Sequence, residues 1–376
     1  MTQHATGRAQ AGISLVEMMV GIVVGLIIAI AITSSVAAIG KQFRITGAGA
    51  SAAESAQLGL AMVERDARMA GAAVFSGSVA TMCPRLNAYD ATKVPATTND
   101  GTPIGEAWPP VRITDGGTGS DTIDLILTPP AATINLNVAV TKELPTSSSV
   151  LKVSEPGGRL AVGDLVLVAQ PPPNTSGYPC TLIQVTDITG NCTDGATGCN
   201  VNFGSGESVY NPPNANTAFS ITEPYGPGSV LMKMPTFTYT RYRVQCNSLL
   251  RHDAGITPSC TGTPSYRDSA LAAGIVMLKA QYGISNAGSD AIVQWKRASA
   301  IAAGEMARVK AVRVAIVAQS AEVDGTQVTS SAPVVFDGSQ TLDLSALSLP
   351  PGKSWQNYRY RVHETVVPVR NSAWNR

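Results

Sequence analysis

The hydrophobic pattern divides the chain near its amino terminus. Residues 18–40 form an uncharged, strongly apolar run that is long enough to cross a bilayer core as one helix. A single carboxylate, Glu17, stands at the start of this run, and no basic residue follows it inside the run. A carboxylate beside hydrocarbon is costly unless a cation pairs with it. The pattern therefore predicts a membrane helix whose acidic end needs a positive partner.

The helical pattern continues well beyond the apolar run. Residues 14–71 contain no proline and are rich in Ala, Leu, Met, Glu and Gln, which favours one continuous helix. At 1.5 Å per residue such a helix is roughly 85 Å long, so its second half must lie outside a membrane. There the apolar positions alternate with charged ones, and we expect the apolar face to pack on a globular domain. These apolar positions are Leu58, Met62, Val63 and Met69.

Glycines interrupt the helical pattern in both halves. Gly47 and Gly49 follow Thr46, and because glycine weakens a helix we expect a bend or a melted turn there. Within the apolar run, Gly21 and Gly25 form a small-xxx-small pair that would let a second helix approach closely. Glycine is also simply common in membrane helices, so both interpretations of this pair stay open.

Beyond residue 72 the pattern changes to short β-type runs separated by turn-rich segments. The spacing of the runs is too irregular for a βαβ repeat and favours an antiparallel sheet. The expected fold class is therefore α+β, with a long amino-terminal helix, membrane-spanning in its first half, packed on a mainly antiparallel β-sheet domain. The clearest β-type runs are residues 123–127, 165–168, 236–244, 276–284, 309–317 and 358–367.

Composition narrows the possible function classes. The chain has 376 residues, of which 44% are hydrophobic and 14% charged, so it can build a sizeable core and is not expected to be disordered. Its 27 basic and 26 acidic side chains leave a formal charge of +1. Such a balance provides no field of one sign that would attract nucleic acid, and we expect no nucleic-acid partner.

The six cysteines all follow the apolar run, and this even number suits an oxidising compartment such as the periplasm. The short spacing of Cys246 and Cys260 makes them a plausible disulfide pair. The other four cysteines allow several pairings, and the sequence does not choose among them. They are Cys83, Cys180, Cys192 and Cys199.

The sequence carries no recognisable catalytic or metal-binding signature. It contains no Gly-x-Ser-x-Gly elbow, no Cys-x2-Cys pair and no two histidines four residues apart. The neighbouring pairs His252 with Asp253 and His363 with Glu364 would point to opposite faces of a strand. A cluster of Asp115, Asp121 and Asp124 lacks the spacing of an EF-hand calcium loop. We therefore expect no enzyme activity, no cofactor and no metal site.

The junction before the apolar run resembles the class III signal of type IV prepilins. Residues 12–17 read Gly-Ile-Ser-Leu-Val-Glu and follow a short polar leader. The resemblance implies cleavage by prepilin peptidase between Gly12 and Ile13, methylation of Ile13, and Glu17 as the fifth mature residue. The family usually has Phe where this chain has Ile13. We expect Glu17 to pair during assembly with the α-ammonium of a neighbouring subunit or with its own.

Four further segments, taken in order, resemble the PilW family of minor pilins. They are the helix end at 59–71, a strand opening at 119–123, the stretch 242–282 and the closing segment 355–371. The resemblance implies a non-catalytic subunit that primes type IV pilus assembly and sits at the pilus tip. Its implied partners are the major pilin, a tip adhesin, and other minor pilins of the FimU, PilV, PilX and PilE kinds.

The organisation expected from these observations has four parts. Residues 1–12 form the leader, 13–40 the transmembrane half of the helix, 41–75 its amphipathic half, and 76–376 a β-rich globular domain. The chain would lie in the inner membrane with this domain in the periplasm, and later in the pilus on the cell surface. Two alternatives stay open, namely a J-type minor pseudopilin of type II secretion and a membrane-anchored adhesin.

Overall fold

The structure is a computed structural model of the chain. It describes residues 14–70, 86–89, 91, 111–127, 134–142, 150–154, 160–170, 180–190, 199–214, 225–234, 238–253, 256–302 and 305–369. The chain divides into two compact units, Met1–Ser51 and Ala52–Arg376. The leader 1–12 and residue 13 lie outside the described residues.

One helix, α1, spans Leu15–Met69 and confirms the long amino-terminal helix. The Ser14 hydroxyl accepts a hydrogen bond from the Val16 N–H at 3.3 Å, which satisfies one of the free donors at the helix start. The expected melted turn is wrong, because α1 stays helical through Gly47 and Gly49. The two glycines together weaken the helix by roughly 2 kcal/mol, and alanines at 48, 50, 52 and 53 are the residues that best offset this.

The strands follow α1 and are numbered along the chain. They are β1 (Leu86–Asn87), β2 (Val111–Thr114), β3 (Thr122–Leu127), β4 (Ile134–Ala139), β5 (Val150–Val153), β6 (Leu165–Ala169), β7 (Cys180–Gln184), β8 (Asp187–Gly190), β9 (Cys199–Asn202), β10 (Val230–Met234), β11 (Thr238–Gln245), β12 (Ser248–Asp253), β13 (Ala270–Ala273), β14 (Ile275–Ser285), β15 (Ile292–Lys296), β16 (Val309–Gln319) and β17 (Tyr360–Pro368).

These strands form four sheets. Sheet I has the order β13-β12-β11-β3-β2, and sheet II has the order β15-β14-β16-β17. Sheet III has the order β1-β7-β6-β10-β4, and sheet IV has the order β5-β9-β8. Among the described strands every pairing is antiparallel except that of β1 with β7. The α+β fold with mainly antiparallel sheets is therefore confirmed.

The second half of α1 shares one hydrophobic core with sheets I and II. Its contribution to this core comes mainly from small side chains, which let the helix backbone approach the sheets closely. Leu58 was expected on the packed face but is 53% exposed, so this part of the prediction is wrong. Val63 is buried as expected, and Met62 and Met69 are only partly buried. The buried apolar residues of this half are Ala52, Ala56, Leu60, Val63 and Ala67.

Sheet IV and all of sheet III except β1 are inserted between two strands that pair with each other. In sheet I, Leu127 at the end of β3 lies opposite Thr238 at the start of β11. The chain therefore leaves sheet I and returns to it at neighbouring positions, and strands β4 to β10 lie in between. Sheets III and IV enclose a core of their own, built from residues between Val138 and Leu231. We call residues 128–237 the inserted module.

A further core covers the other face of sheet II. Val276 and Met277 of β14 and Val317 of β16 pack there against Phe336 and other residues of the segment that connects β16 to β17. Sheet II is thus covered on one face by the core that includes α1 and on the other by this connection.

Candidate functional site

The first part of α1 presents a continuous apolar surface. Leu15–Val36 is the one described helix that is long and apolar enough to cross a membrane, and it makes no buried contact. Its large side chains are 48–75% exposed, from Val24 at the lower limit to Leu15 at the upper. Because apolar groups cover the helix on all sides, this segment can be solvated by lipid or by other apolar helices.

Two hydroxyl side chains within the apolar segment are hydrogen-bonded to the helix itself. The Thr33 hydroxyl donates to the carbonyl oxygen of Ala29 at 2.9 Å, and the Ser34 hydroxyl donates to that of Ala31 at 2.9 Å. Hydroxyls bonded to their own helix leave no polar group that must find water. These two residues therefore do not prevent the segment from lying in hydrocarbon.

The three residues that the sequence placed on this segment are all accessible. Glu17 lies exposed in the first turn of α1, where the free N–H groups of a helix start favour an acidic side chain. Gly21 and Gly25 have open space around the position that a Cβ atom would occupy. A second helix could therefore approach them closely. The roles of Glu17, Gly21 and Gly25 stay predictions, as does cleavage between Gly12 and Ile13.

The second part of α1 is fixed to sheet I by a buried carboxylate. Asp66 is only 1% exposed, and its Oδ2 accepts hydrogen bonds from the Tyr242 hydroxyl at 2.7 Å and from Arg251 Nε at 2.9 Å. Its Oδ1 accepts from Arg65 Nε and Nη2 at 3.2 and 3.1 Å. Burial and the neighbouring Asp66 carboxylate raise the pKa of Tyr242, which therefore stays protonated and remains a donor.

Two further contacts hold the same part of α1. Gly59 lies so close to the sheets that a Cβ atom there would stand 2.9 Å from Leu249 Cδ2 and 3.5 Å from Ile316 Cδ1. Glu64 accepts a hydrogen bond from the Thr365 hydroxyl of β17 at 3.2 Å. Together with Asp66, these residues bind one helix to both sheets I and II.

The sequence interpretation missed this anchor. From the sequence pattern, charged residues of this half of α1 were expected to lie away from the packed face, whereas Asp66 lies three residues after Val63 and seven after Gly59, within the buried stripe. This spacing is the signal that could have found it. Its partners Tyr242 and Arg251 are 176 and 185 residues away in sequence, and no local pattern announces them.

Residues 240–371 match the family model described as Type IV Pilus-assembly protein W. This stretch is therefore similar to the PilW family. A search of the curated proteins gives no match for this chain. The matched stretch, here the PilW domain, comprises most of β11 and all of β12 to β17, so it holds sheet II and three strands of sheet I. It also holds Tyr242, Arg251 and Thr365, the sheet partners of α1.

The three aspartates considered for calcium each have a cation of their own. Asp121 bonds to Lys279 at 2.8 Å, Asp124 to Arg241 at 2.7 Å and Asp115 to Arg297 at 2.8 Å. Among the described residues no group of three or more acidic, His or Cys side chains is arranged to hold a metal ion. The aspartates serve instead to attach the β2–β3 hairpin to β11, to β14 and to the segment after β15.

The ion pair of Asp121 with Lys279 connects the residue before β3 to β14 and is almost fully buried. The two side chains are 1% and 0% exposed. Asp121 also accepts from the N–H groups of Gly116 and Ala280, each at 2.9 Å, and Lys279 donates to the Gly117 carbonyl at 2.9 Å. Burial raises the pKa of Asp121, while the hydrogen bond from Lys279 acts against this rise.

Asp115 binds the same segment around Gly117 that Lys279 contacts, but from the solvent-exposed side. Its carboxylate accepts hydrogen bonds from Arg297, from the Ser299 hydroxyl and from the Gly117 N–H. Burial alone would raise the pKa of Asp115, but these donors and the positive charge of Arg297 lower it well below the usual range.

The histidines of the PilW domain form no catalytic dyad with the neighbouring carboxylates. His252 on β12 is buried, and its Nδ1 lies 2.7 Å from the Asp253 backbone oxygen rather than its carboxylate. On β17, Glu364 accepts a hydrogen bond from the Phe336 N–H at 2.7 Å. These contacts are structural, as the alternation of side chains along a strand leads one to expect.

Cys246 and Cys260 form a disulfide, with Cα atoms 5.7 Å apart. This is the pair that the sequence favoured. Cys246 and Asn247 both have positive φ and form the two-residue turn between β11 and β12, so the disulfide fastens the following loop to the tip of this hairpin. Cys180 is also disulfide-bonded. Cys83 and Cys192 lie outside the described residues, and Cys199 is buried in β9.

Proposed function

We propose that this protein is a minor pilin subunit that helps prime assembly of the type IV pilus and forms part of its tip complex. One observation carries the proposal: the helix with an exposed apolar first part is the same helix whose second part is packed into the core of the PilW domain. A subunit built this way can be held in the inner membrane and then transferred, with its domain attached, into a filament.

Transfer of the apolar segment from the membrane into a filament would cost little free energy. Lipid tails and the apolar side chains of neighbouring helices solvate Leu15–Val36 about equally well, so specificity must come from close packing and from polar pairs. Gly21 and Gly25 supply open helix surface for close packing. Glu17 supplies the polar contact, with the α-ammonium of Ile13 after leader removal as its partner.

Complementation of a deletion strain tests the proposal. We expect deletion of the gene to reduce surface pili strongly, and the wild-type gene to restore them. Glu17→Gln keeps the size of the side chain and removes its charge. If the pair contributes about 1.4 kcal/mol, assembly should fall roughly tenfold. The measurement is the amount of sheared major pilin, together with filament counts by electron microscopy.

Glu54→Gln is the matched control, because Glu54 is also an exposed glutamate of α1 but lies outside the apolar segment. We expect it to leave pilus numbers unchanged. Normal pili in the deletion strain, with loss of type II secretion instead, would favour the pseudopilin alternative. Normal pili in both the deletion strain and the Glu17→Gln strain would refute the proposal.

A further inference from the structure

Strand β17 is the outer strand of sheet II and runs beside β16 for nine residues without a bulge. The bonds at its two ends define which backbone groups face β16. Ser320 N–H donates to the Arg359 carbonyl at 2.8 Å, and Val369 N–H donates to the Lys310 carbonyl at 3.0 Å. Because hydrogen-bonded positions alternate along an antiparallel pair, the odd-numbered residues of β17 bond to β16 and the even-numbered ones face outward.

The outward-facing edge is open in the part of the chain that the structure describes. The outward N–H and C=O groups belong to Val362, Glu364 and Val366, and no other described strand pairs with them. Glu364 and Val366 are exposed, the latter by 51%. Pro368 is also an even-numbered residue of β17. Proline has no N–H, and at this position the missing N–H would have pointed away from β16, so the pairing of β17 with β16 is not affected. A row of unpaired backbone groups of this kind is a template for another strand.

The charges on β17 indicate what kind of strand fits. Arg361 and Glu364 are both exposed but have opposite parity, so their side chains lie on opposite faces of sheet II. A second β17 added antiparallel along the same edge must place even residues opposite even ones. Arg361 could then never lie opposite Glu364, and the register centred on Glu364 would bring two carboxylates together. An antiparallel second copy therefore gains no ion pair between these two residues, whereas a strand of different sequence can supply a partner for each.

We propose that the open edge of β17 is a docking site for an extended strand of a different pilus subunit. The strand that fits carries a basic residue opposite Glu364 on one face and an acidic residue opposite Arg361 on the other, with apolar residues beside Val362 and Val366. Main-chain hydrogen bonds would supply affinity, and the two ion pairs would set direction and register. This inference rests on the proposed function, since it names the kind of partner that the subunit would contact.

Photo-crosslinking in the host, with the full chain, tests the site. A photoreactive amino acid at position 366, which is exposed on the outward edge and carries no charge, should crosslink to one extended segment of another pilus subunit, identified by mass spectrometry of the joined peptides. Val362→Pro removes one outward N–H and leaves the bonds to β16 in place, so the crosslink should be lost. Formation of the Cys246–Cys260 disulfide and resistance to protease show whether this variant still folds.

Charge reversal provides a second variant, which keeps the backbone groups of β17 but removes the acceptor of the Phe336 N–H, so the same folding checks apply to it. Glu364→Lys should weaken the crosslink, and reversal of the basic residue opposite it in the partner peptide should restore it. Lys152→Glu is the matched control, because Lys152 is an exposed charge on a strand of sheet IV.

Crosslinking only to a second copy of this chain, no crosslink to any pilus subunit, or an unchanged crosslink in Val362→Pro would each overturn the inference. If deletion of the gene abolishes pili while these outcomes occur, the proposed function stands and only the docking site fails.

Discussion

At the scale of single residues, the buried pair of Asp121 and Lys279 is the contact most sensitive to substitution. Lys279→Met removes the cation and leaves a carboxylate that is 1% exposed and has lost its charged partner. Breaking a buried pair in this way costs roughly 3–5 kcal/mol. We expect the free energy of unfolding of the full chain in detergent, measured by chemical denaturation, to fall by about this amount.

The double variant of the same pair serves as its control. Adding Asp121→Asn to Lys279→Met removes the buried charge while keeping one oxygen, which can accept from the N–H of either Gly116 or Ala280 but not from both. We expect the double variant to be more stable than Lys279→Met alone, because a neutral buried group needs no counterion. Equal stability of the two variants would mean that the charge of Asp121 is not what Lys279 compensates.

His252 gives the PilW domain a defined response to acid. Burial lowers the pKa of His252, and the nearby positive charges of Arg243 and Arg241 lower it further, against the Asp253 carbonyl and Asp124. A histidine whose folded pKa lies below its unfolded value stabilises the fold above about pH 6.5, and this stability is lost as the pH falls through that value. We therefore expect the free energy of unfolding to decline below about pH 6.5, by up to about 1.4 kcal/mol per pH unit.

Two glutamine variants test whether His252 causes this decline in the free energy of unfolding. His252→Gln should remove the part of the pH dependence between about pH 6.5 and the lower folded pKa. His363→Gln should retain it, because His363 lies on β17 and is not buried. A decline that persists unchanged in His252→Gln would assign it to other groups.

At the scale of elements, the packing of α1 on sheets I and II depends on the absence of a side chain at Gly59. Gly59→Leu places a large group where even a Cβ atom would stand 2.9 Å from Leu249. Such overpacking typically costs 1–3 kcal/mol, and we expect the thermal midpoint of the full chain to fall accordingly. Ala61→Leu is the control on the same helix, because Ala61 is exposed and should tolerate the change. Equal effects of the two substitutions would contradict this close approach.

The elements themselves could be predicted from local patterns, whereas their packing could not. Strands β3, β6, β11, β14, β16 and β17 all lie at β-type runs found in the sequence. The packed face of α1 was only partly predicted. Large apolar residues such as Leu58 have a stronger hydrophobic signal than Ala52, Ala56 and Gly59, although the small residues form the packed face. Small residues carry little hydrophobic signal, yet they permit the shortest distance between a helix and a sheet.

The partners of the aspartates could not be predicted for a related reason. Lys279 is 158 residues from Asp121, Arg241 is 117 from Asp124, and Arg297 is 182 from Asp115. Only the sheet topology brings these groups together. The sequence showed an acidic cluster, and the structure shows three separate ion pairs.

At the scale of the whole molecule, the chain enters and leaves the inserted module at neighbouring positions of sheet I, and among the described residues β1 also pairs with the module through β7. The core shared by α1 and sheets I and II contains no residue of 128–237, and the core over the other face of sheet II contains none either. Because Leu127 lies opposite Thr238, a two-residue Asn-Gly turn can join β3 directly to β11. We expect a chain with 128–237 replaced by this turn to form the Cys246–Cys260 disulfide and to resist protease.

A shift of one residue provides the control for this excision. If the same turn joins Leu127 to Tyr239, the pairing slips by one position and Tyr242 moves to the wrong face of sheet I. The Tyr242 bond to Asp66 is then impossible, and we expect this variant to be degraded. If both excised chains are degraded, the inserted module is required for folding of the rest.

The disulfide between Cys246 and Cys260 can serve as a marker of when a chain has reached an oxidising compartment. The two cysteines are 14 positions apart and can be joined only where thiols are oxidised. On the proposed function, the hairpin tip and its loop would acquire their final covalent form after the domain has left the cytoplasm. If the protein is exported as proposed, a chain with this disulfide is one that has already crossed the membrane, and the ratio of oxidised to reduced chains reports the exported fraction.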